Sequence, residues 1–482
     1  MKKIKQFLFV NSSEKQTVIK NTFWLFVSEV GMRVLKLFIF IYAARTLGVS
    51  EWGVFSYVLA LIGIFATISD IGVNSILTRE VAKKNEDGKQ YISTSFFLKI
   101  ILSLIACIAF SIFALFVKNT SEIKSLLPIA IIILLLDSIR EFGFSINRAF
   151  EKMETEAFTK LIATIVLVIS GFIFISRSHT ALSFIDSYLV GSIFGATIMY
   201  FSLRSHFLEI TKNFNKNYLF PILKEAWPIA IISGFGIIMS NIDTVFLGIF
   251  RGNTEIGIYS AAQKILPIVY IIPALLSTAL LPIFSRLTKT DPSKINSLTS
   301  KTIKTTILIS VPFVIGGIIL GTPLITVLFG QQYIQSAPLF KIMILALVTG
   351  SIGNILSNVL FAQNQQKKIM HFIIIGAITN FVLCFSLIPF LGTYGAVFSV
   401  VISQTLINVL LIIDFKKNNS TKINLELKKT VIALLALTIS IIFLQKFVNL
   451  YLTILLSSGV YLATLVALKE QIITDIYDIL KN

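Results

Sequence analysis

At 482 residues, with 55% hydrophobic, 14% charged and a mean hydropathy of +0.86, the chain lies far outside the range of soluble globular proteins. A formal net charge of +18 would suit a nucleic-acid partner. However, the lysines and arginines stand in short breaks between apolar runs, where they meet anionic lipid and set orientation, so no nucleic-acid binding is expected. Cys107 and Cys384 sit inside apolar runs and His179, His206 and His371 are dispersed, so neither a disulfide nor a metal or cofactor site follows from them.

The basic start, Met1 to Lys20, leads into an apolar run long enough to stay in a bilayer, which predicts an uncleaved first span rather than a signal peptide. About fourteen spans follow, near 21–44, 53–78, 92–117, 126–147, 157–176, 181–203, 222–249, 256–281, 305–329, 337–361, 369–389, 393–415, 430–447 and 449–468. Lysine and arginine then divide by side, about 30 on the side of both termini, about 6 opposite and about 6 within spans. The basic breaks hold groups such as Arg79, Lys83, Lys84 and Lys89, then Arg148, Lys152 and Lys160, and later Lys416, Lys417 and Lys422. The opposite side holds Arg45, Lys118, Lys124, Arg177, Arg251 and Lys446. The alternation predicts both termini in the cytoplasm. Past Lys469, Ile472, Ile473, Ile476, Ile479 and Leu480 recur at helical spacing, as in a surface-lying amphipathic tail, although a solvated frayed end fits nearly as well.

No break is long enough to form a domain, and there is no Walker A sequence. There is an internal repeat: Gly48, Glu51, Gly53, Phe55 and Ser56 recur as Gly252, Glu255, Gly257, Tyr259 and Ser260 at one constant offset. The copies are separated by an even number of spans, which predicts parallel repeats about an axis along the membrane normal and a substrate site between halves. Pro128 is alone in the first half, whereas Pro221, Pro228, Pro267, Pro273, Pro282, Pro292, Pro312, Pro323, Pro338 and Pro389 crowd the second. Bent helices are expected there, either static or acting as hinges.

Ionisable residues within spans carry the functional signal, because on insertion scales each costs roughly 2.5–3.5 kcal/mol near the bilayer centre. Glu29, Arg33 and Lys36 share one helix face in the first span, and line a wet cavity or pair inside the bundle. Asp70 lies in the second span before Gly72 and Asn74, where it fits either a polar turn or an ion site. Lys99 is near enough to a span end to snorkel. Asp137, Arg140 and Glu141 form a second charged face in the fourth span. In the second half the equivalent face is neutral, with Ser233, Ile237 and Ser240, while Asp243 and Lys264 are candidates to pair across neighbouring spans. Arg33, Lys36 and Arg140, with Arg45 and Lys264, suit an anionic head group, since arginine forks onto phosphate oxygens and lysine adds a point charge. Glu29, Asp70, Asp137, Glu141 and Asp243 are the candidates for ion coupling.

Several motifs resemble one family. The opening Asn21-Thr-Phe-Trp-Leu, the turn Ala44-Arg45-Thr-Leu47-Gly48 followed by Glu51-Trp-Gly53-Val-Phe-Ser56-Tyr57, and Asp70-Ile-Gly72 before Arg79-Glu80 are similar to the Wzx-type oligosaccharide flippases of the multidrug/oligosaccharidyl-lipid/polysaccharide exporter superfamily. So are Leu328-Phe329-Gly330-x-x-Tyr333, Asn358-Val-Leu-Phe361-Ala362 and Leu391-Gly392-x-x-Gly395-Ala396, and the set covers nearly the whole chain. The resemblance implies an all-α, MATE-like polytopic fold of two six-helix lobes related by a pseudo-twofold axis, here 1–212 and 213–425, with two extra transmembrane helices and a tail over 426–482. It also implies a non-enzymatic flippase that carries undecaprenyl-diphosphate-linked oligosaccharide across the bacterial plasma membrane by alternating access through a cationic cavity, with proton or sodium coupling in parts of the family. Its partners would be membrane lipid, the lipid-linked oligosaccharide, and the polymerase and glycosyltransferases of the same pathway. A lipid II flippase is the alternative within the fold, and a multidrug antiporter fits a basic cavity less well. A membrane glycosyltransferase would need a catalytic aspartate pair or a buried histidine near a loop, and neither stands out.

Overall fold

The computed structural model describes residues 9, 11, 13–83, 87–116, 121–204, 207–291, 293–418 and 427–470. The expected amphipathic tail (Ile472, Ile473, Ile476, Ile479, Leu480) and Lys84, Lys118, His206, Pro292 and Lys422 lie outside these residues. Every regular element among the described residues is a helix, the form in which an apolar span satisfies its own backbone in lipid. In chain order they begin with α1 (Glu14–Asp70), α2 (Val73–Ala82), α3 (Gly88–Phe116), α4 (Ser121–Ala149), α5 (Met153–Arg177) and α6 (Ala181–Leu203). After two short turns come α7 (Leu219–Met239), α8 (Ile242–Phe250) and α9 (Asn253–Gln263). Then follow α10 (Ile271–Thr290), α11 (Ser293–Phe329), α12 (Ser336–Met343), α13 (Ala346–Ala362), α14 (Gln366–Leu391), α15 (Thr393–Asn418), α16 (Lys428–Leu444) and α17 (Leu450–Ala467).

Eleven helical stretches among the described residues are long and apolar enough to cross a bilayer. The first, Gln16–Asp70, has the length of two crossings. It is capped by Ser13, whose hydroxyl accepts from the Gln16 amide at 3.3 Å, and it bends at Gly48 (φ 80°, ψ 172°). α4 falls outside that set because Asp137, Arg140 and Glu141 interrupt its apolar stretch, and α16 because it is 17 residues long. With these added, the chain is an all-helical, multi-span membrane protein of about fourteen crossings, as its hydropathy predicts.

Four expected spans are broken, the tenth at Ile344–Leu345 between α12 and α13. The second stops at Ile71 and Gly72, both left-handed, and restarts as α2. Gly72 is required there twice over, since its φ is +81° and a Cβ would stand 2.6 Å from the Ala226 carbonyl oxygen. The seventh breaks at Ser240–Asn241, between α7 and α8. The eighth breaks on either side of a four-residue turn, Leu266–Val269, that holds Pro267. Pro312 and Pro323 do not break α11, which runs unbroken for 37 residues.

Backbone proximity groups the chain into two compact units, Met1–Ser260 and Ala261–Asn482. In the first, Val73, Ile76, Leu98 and Leu102 of α2 and α3 bury against Ile222 and Ala226, so α7 packs with the helices before it. In the second, Phe284, Ile303, Ile355, Leu356, Leu411 and Phe415 form one core. A second core sets Leu308 and Leu320 of α11 against Leu437, Tyr461 and Leu465, and the Tyr461 hydroxyl donates to the Leu308 carbonyl at 2.9 Å. The last two spans are thus fastened to α11.

The sequence repeat appears as a reciprocal contact. A Cβ on Gly53 would strike the Asn253 carbonyl, and a Cβ on Gly257 would strike the Val49 carbonyl. Val49 and Gly53 stand at the repeat offset from Asn253 and Gly257, so a local twofold relates the two approaches. Neither backbone can retreat without disturbing its counterpart. Gly53→Ala or Gly257→Ala should each cost about 1–3 kcal/mol by overpacking, while Gly316→Ala, with open space at its Cβ, should be neutral. Thermal denaturation of the purified variants checks this, and an unshifted midpoint for Gly53→Ala would show that the contact is not close.

Candidate functional site

Four helices of the first unit turn polar faces toward one another. α1 supplies Glu29, Met32 and Lys36, and α4 supplies Asp137, Arg140, Glu141 and Phe144. α5 adds Lys160, Ala163, Thr164 and Leu167, and α6 adds Tyr188, Gly191 and Ser192. Each set follows the three- and four-residue spacing of a single helix face. Together they enclose a cavity of about 330 Å³. Small residues let the helices approach. A Cβ at Gly191 would lie 3.0 Å from the Ala163 carbonyl oxygen, and one at Gly195 would lie 2.9 Å from Cδ of Arg140, whose stem fills that space.

Most of these charges are paired. Lys160 donates to Glu29 at 2.7 Å and reaches Glu156 at 3.0 Å. Glu156 is fully buried and also accepts from Nε of Arg148 at 2.7 Å. Arg140 pairs with Asp137 at 2.9 Å, and Ser192 donates to the same carboxylate at 2.8 Å. Arg140 and Lys160 both lie over the Phe144 ring, at 5.9 and 5.6 Å from its centre. Lys36 stands over the Tyr188 ring at 5.8 Å. The lining holds Lys36, Arg140 and Lys160 against Glu29, Asp137 and Glu141, so this cavity is charge-balanced where the sequence suggested a cationic one.

Asp137 and Glu141 also face a second cavity of about 270 Å³, with Asp70, Asn74, Lys99 and Ser138 and, from α7, Ser233 and Ile237. Lys99, expected to snorkel, is buried instead and pairs with Asp70 at 3.1 Å. Asp70 also accepts from the Asn74 amide at 3.2 Å, so the polar-turn reading of Asp70 holds beside its ion pair. Its proximity to Asp70 through the fold, not its distance from the span end, decides what Lys99 does.

The other expected site residues are placed apart. Arg33 is half-exposed, 3.9 Å from Glu29, and lines neither cavity. Arg45 is exposed at the bend end of the first arm of α1. Asp243 is buried at the start of α8, where it accepts from the Thr244 amide at 2.6 Å and from the Tyr259 hydroxyl. Lys264 lies in the second unit, between α9 and the proline turn. Sequence reasoning missed Lys160, assigned to a basic break, and Tyr188. Their signal was present as polar and small residues spaced along α5 and α6: Lys160, Ala163 and Thr164, and Tyr188, Gly191, Ser192 and Gly195.

A family model described as polysaccharide biosynthesis protein matches residues 18–288, and one described as MatE matches residues 228–386. The chain is 24% identical over 392 residues to a putative O-antigen transporter of Shigella dysenteriae, covering 80% of this chain and 97% of that protein. It is 23% identical over 393 residues to a probable low-salt glycan biosynthesis flippase, Agl15, of Haloferax volcanii, covering 80% and 81%. Among solved structures, the lipid II flippase MurJ in an inward closed conformation superposes with a TM-score of 0.77 at 20% identity, over 94% of this chain and 99% of that one. An inward-facing MATE multidrug transporter gives 0.63 at 17% identity, over 79% and 94%. At such identities the likeness establishes the fold.

Removing Lys160 should unbalance the cavity. Lys160→Met leaves Glu29 without its short partner and Glu156 with Arg148 alone, at a cost of about 3 kcal/mol, the low end for breaking a buried pair. Lys160→Met with Glu29→Gln should recover part of that loss. Denaturant titration of the three proteins in detergent measures both effects, and additive losses in the double variant would show that the two side chains are uncoupled.

Proposed function

The chain belongs to the polysaccharide biosynthesis protein family, and from that premise we propose that it flips undecaprenyl-diphosphate-linked oligosaccharide units across the bacterial plasma membrane for surface polysaccharide synthesis. The observation that carries this reading is the closed set of charged faces inside α1, α4, α5 and α6, in a membrane chain whose relatives are named as transporters and flippases. Such faces have no place against lipid and suit a polar head group that must cross the bilayer. Transport alternates access between two lobes, 1–212 and 213–425, with 426–482 as an added pair of spans, and both termini are cytoplasmic by the distribution of basic residues. Lys36 and Arg140, with Arg33 and Arg45 nearer the surface and Lys264 in the other half, attract the diphosphate. Glu29, Asp70, Asp137, Glu141 and Asp243 include the site of any proton or sodium coupling. Lipid II, also a lipid-linked diphosphate, is the second reading, favoured by the likeness to MurJ.

Export of lipid-linked oligosaccharide in a flippase-deficient strain tests the proposal. Arg33→Ala and Arg140→Ala should each lower export about tenfold at normal membrane levels, as loss of a charge-assisted contact would. Full export by the double variant would remove both from the substrate path. Rescue of cells depleted of their lipid II flippase, without rescue of polysaccharide export, would favour the second reading. For coupling, export by wild type should fall when the proton or sodium gradient is collapsed, and export by Glu29→Gln should no longer respond. Equal sensitivity of both proteins would place the coupling site elsewhere.

A further inference from the structure

The cavity between α1, α4, α5 and α6 is lined by three donor groups that find no hydrogen-bond acceptor among the described residues. The Tyr188 hydroxyl is buried without a protein partner, in a side chain only 7% exposed. Nε of Arg140 is buried and unpartnered as well, although its Nη1 holds Asp137. Lys36 makes no ion pair among the described residues, and its ammonium faces the ring of Tyr188. An unmet buried donor destabilises a fold by about the desolvation penalty of the group, so two in one cavity, with the Lys36 ammonium beside them, call for a shared acceptor. Tyr188 is not free to turn away, because Phe55 and Phe184 hold its ring at 5.4 and 5.6 Å between centres.

We infer that Tyr188, Lys36 and Arg140 form a three-donor seat for the diphosphate group of the carried lipid, with Tyr188 as a binding residue beside the two cations. Two features select this ligand class. The donors present a hydroxyl, an ammonium and one guanidinium edge, which together match several oxygens of one anion rather than a single atom. The volume of about 330 Å³ is far larger than the share of roughly 30 Å³ that one water takes, so a polyatomic anion fits where a lone water or halide would leave most of the space unfilled. Glu141 faces the same cavity without an ion pair among the described residues, and its carboxylate, when ionised, opposes the anion. Glu141 therefore sets the affinity of the seat downward while the donors set it upward.

This inference rests on the reading of the chain as a carrier of lipid-linked diphosphates, and the test separates the two. Binding is measured on the purified full-length protein in lipid nanodiscs, with undecaprenyl diphosphate and, separately, with inorganic pyrophosphate. Tyr188→Phe removes only the hydroxyl, Glu141→Gln keeps side-chain shape, and Lys36→Gln removes the charge while shortening the chain by one atom, so size-exclusion profiles and melting curves should match wild type. Undecaprenyl diphosphate should bind roughly tenfold more weakly to Tyr188→Phe and Lys36→Gln, and three- to tenfold more tightly to Glu141→Gln. Wild-type binding that none of the three variants changes would overturn the seat and leave the proposed function standing. Binding of pyrophosphate as tight as that of the lipid, with the same variant pattern, would support the seat while assigning it to a soluble diphosphate and counting against the flippase reading. If wild type binds neither probe, the seat is refuted.

Discussion

An ionisable side chain in a transmembrane helix must find a partner or water, and the first half of this protein is organised by that requirement. α1 and α4 bring Glu29, Lys36, Asp137, Arg140 and Glu141 into apolar surroundings, at roughly 2.5–3.5 kcal/mol each for an isolated helix near the bilayer centre. Neither helix is at ease alone in lipid. Their faces close on each other and on α5, which contributes Lys160 and the fully buried Glu156. The close approach follows from the same need. Gly191 and Gly195 put α6 near enough for Ser192 to reach Asp137 and for the stem of Arg140 to lie flat. Small residues here serve electrostatics: they shorten the distance over which opposite charges meet in a poor dielectric.

Two kinds of information are superimposed on the repeated architecture. The reciprocal contact of Gly53 with the Asn253 carbonyl and of Gly257 with the Val49 carbonyl belongs to the backbone and is symmetric. The charges are not symmetric, because Ser233, Ile237 and Ser240 stand where the repeat offset would repeat Glu29, Arg33 and Lys36. A duplicated scaffold needs its glycines in both copies to pack at all, whereas each charged residue has to be matched by partners on particular helices. Phe55 links the two layers. It belongs to the repeated motif, and its ring also fixes Tyr188 at the wall of the asymmetric cavity.

Much of this was legible in the sequence. Hydropathy and the placement of lysine and arginine gave the spans, because both depend on composition summed over about twenty residues. The breaks at Ile71–Gly72, at Ser240–Asn241 and around Pro267 were not legible from the same signal, since an interrupted helix is as apolar as a continuous one. Lys99 and Lys160 were misread for a related reason. The distance of Lys99 from a span end suggested escape to the surface, and Lys160 counted with a basic break, but Asp70 and Glu29 come from α1, and only the fold brings them within 3.1 and 2.7 Å. The charge balance of the cavity was hidden likewise. Arg33 and Lys36 look equivalent on a helical wheel, yet one lies half-exposed beside Glu29 and the other faces Tyr188.

Balance suits a carrier better than excess charge would. A group of unpaired cations in low dielectric would bind a diphosphate too tightly to release it, since attraction between unit charges at 4 Å rises from about 1 kcal/mol in water to about 4 kcal/mol at an effective dielectric of 20. In this cavity Arg140 already holds Asp137 and Lys160 already holds Glu29. An arriving anion must compete with those carboxylates for the cations, and a departing one is replaced by them. Binding and release then differ by exchange of partners rather than by creation and loss of bare charge, which keeps both steps shallow. Lys36 and Glu141 stand outside that exchange, each lining the cavity without an ion pair among the described residues, so they act on an arriving anion independently of the paired majority.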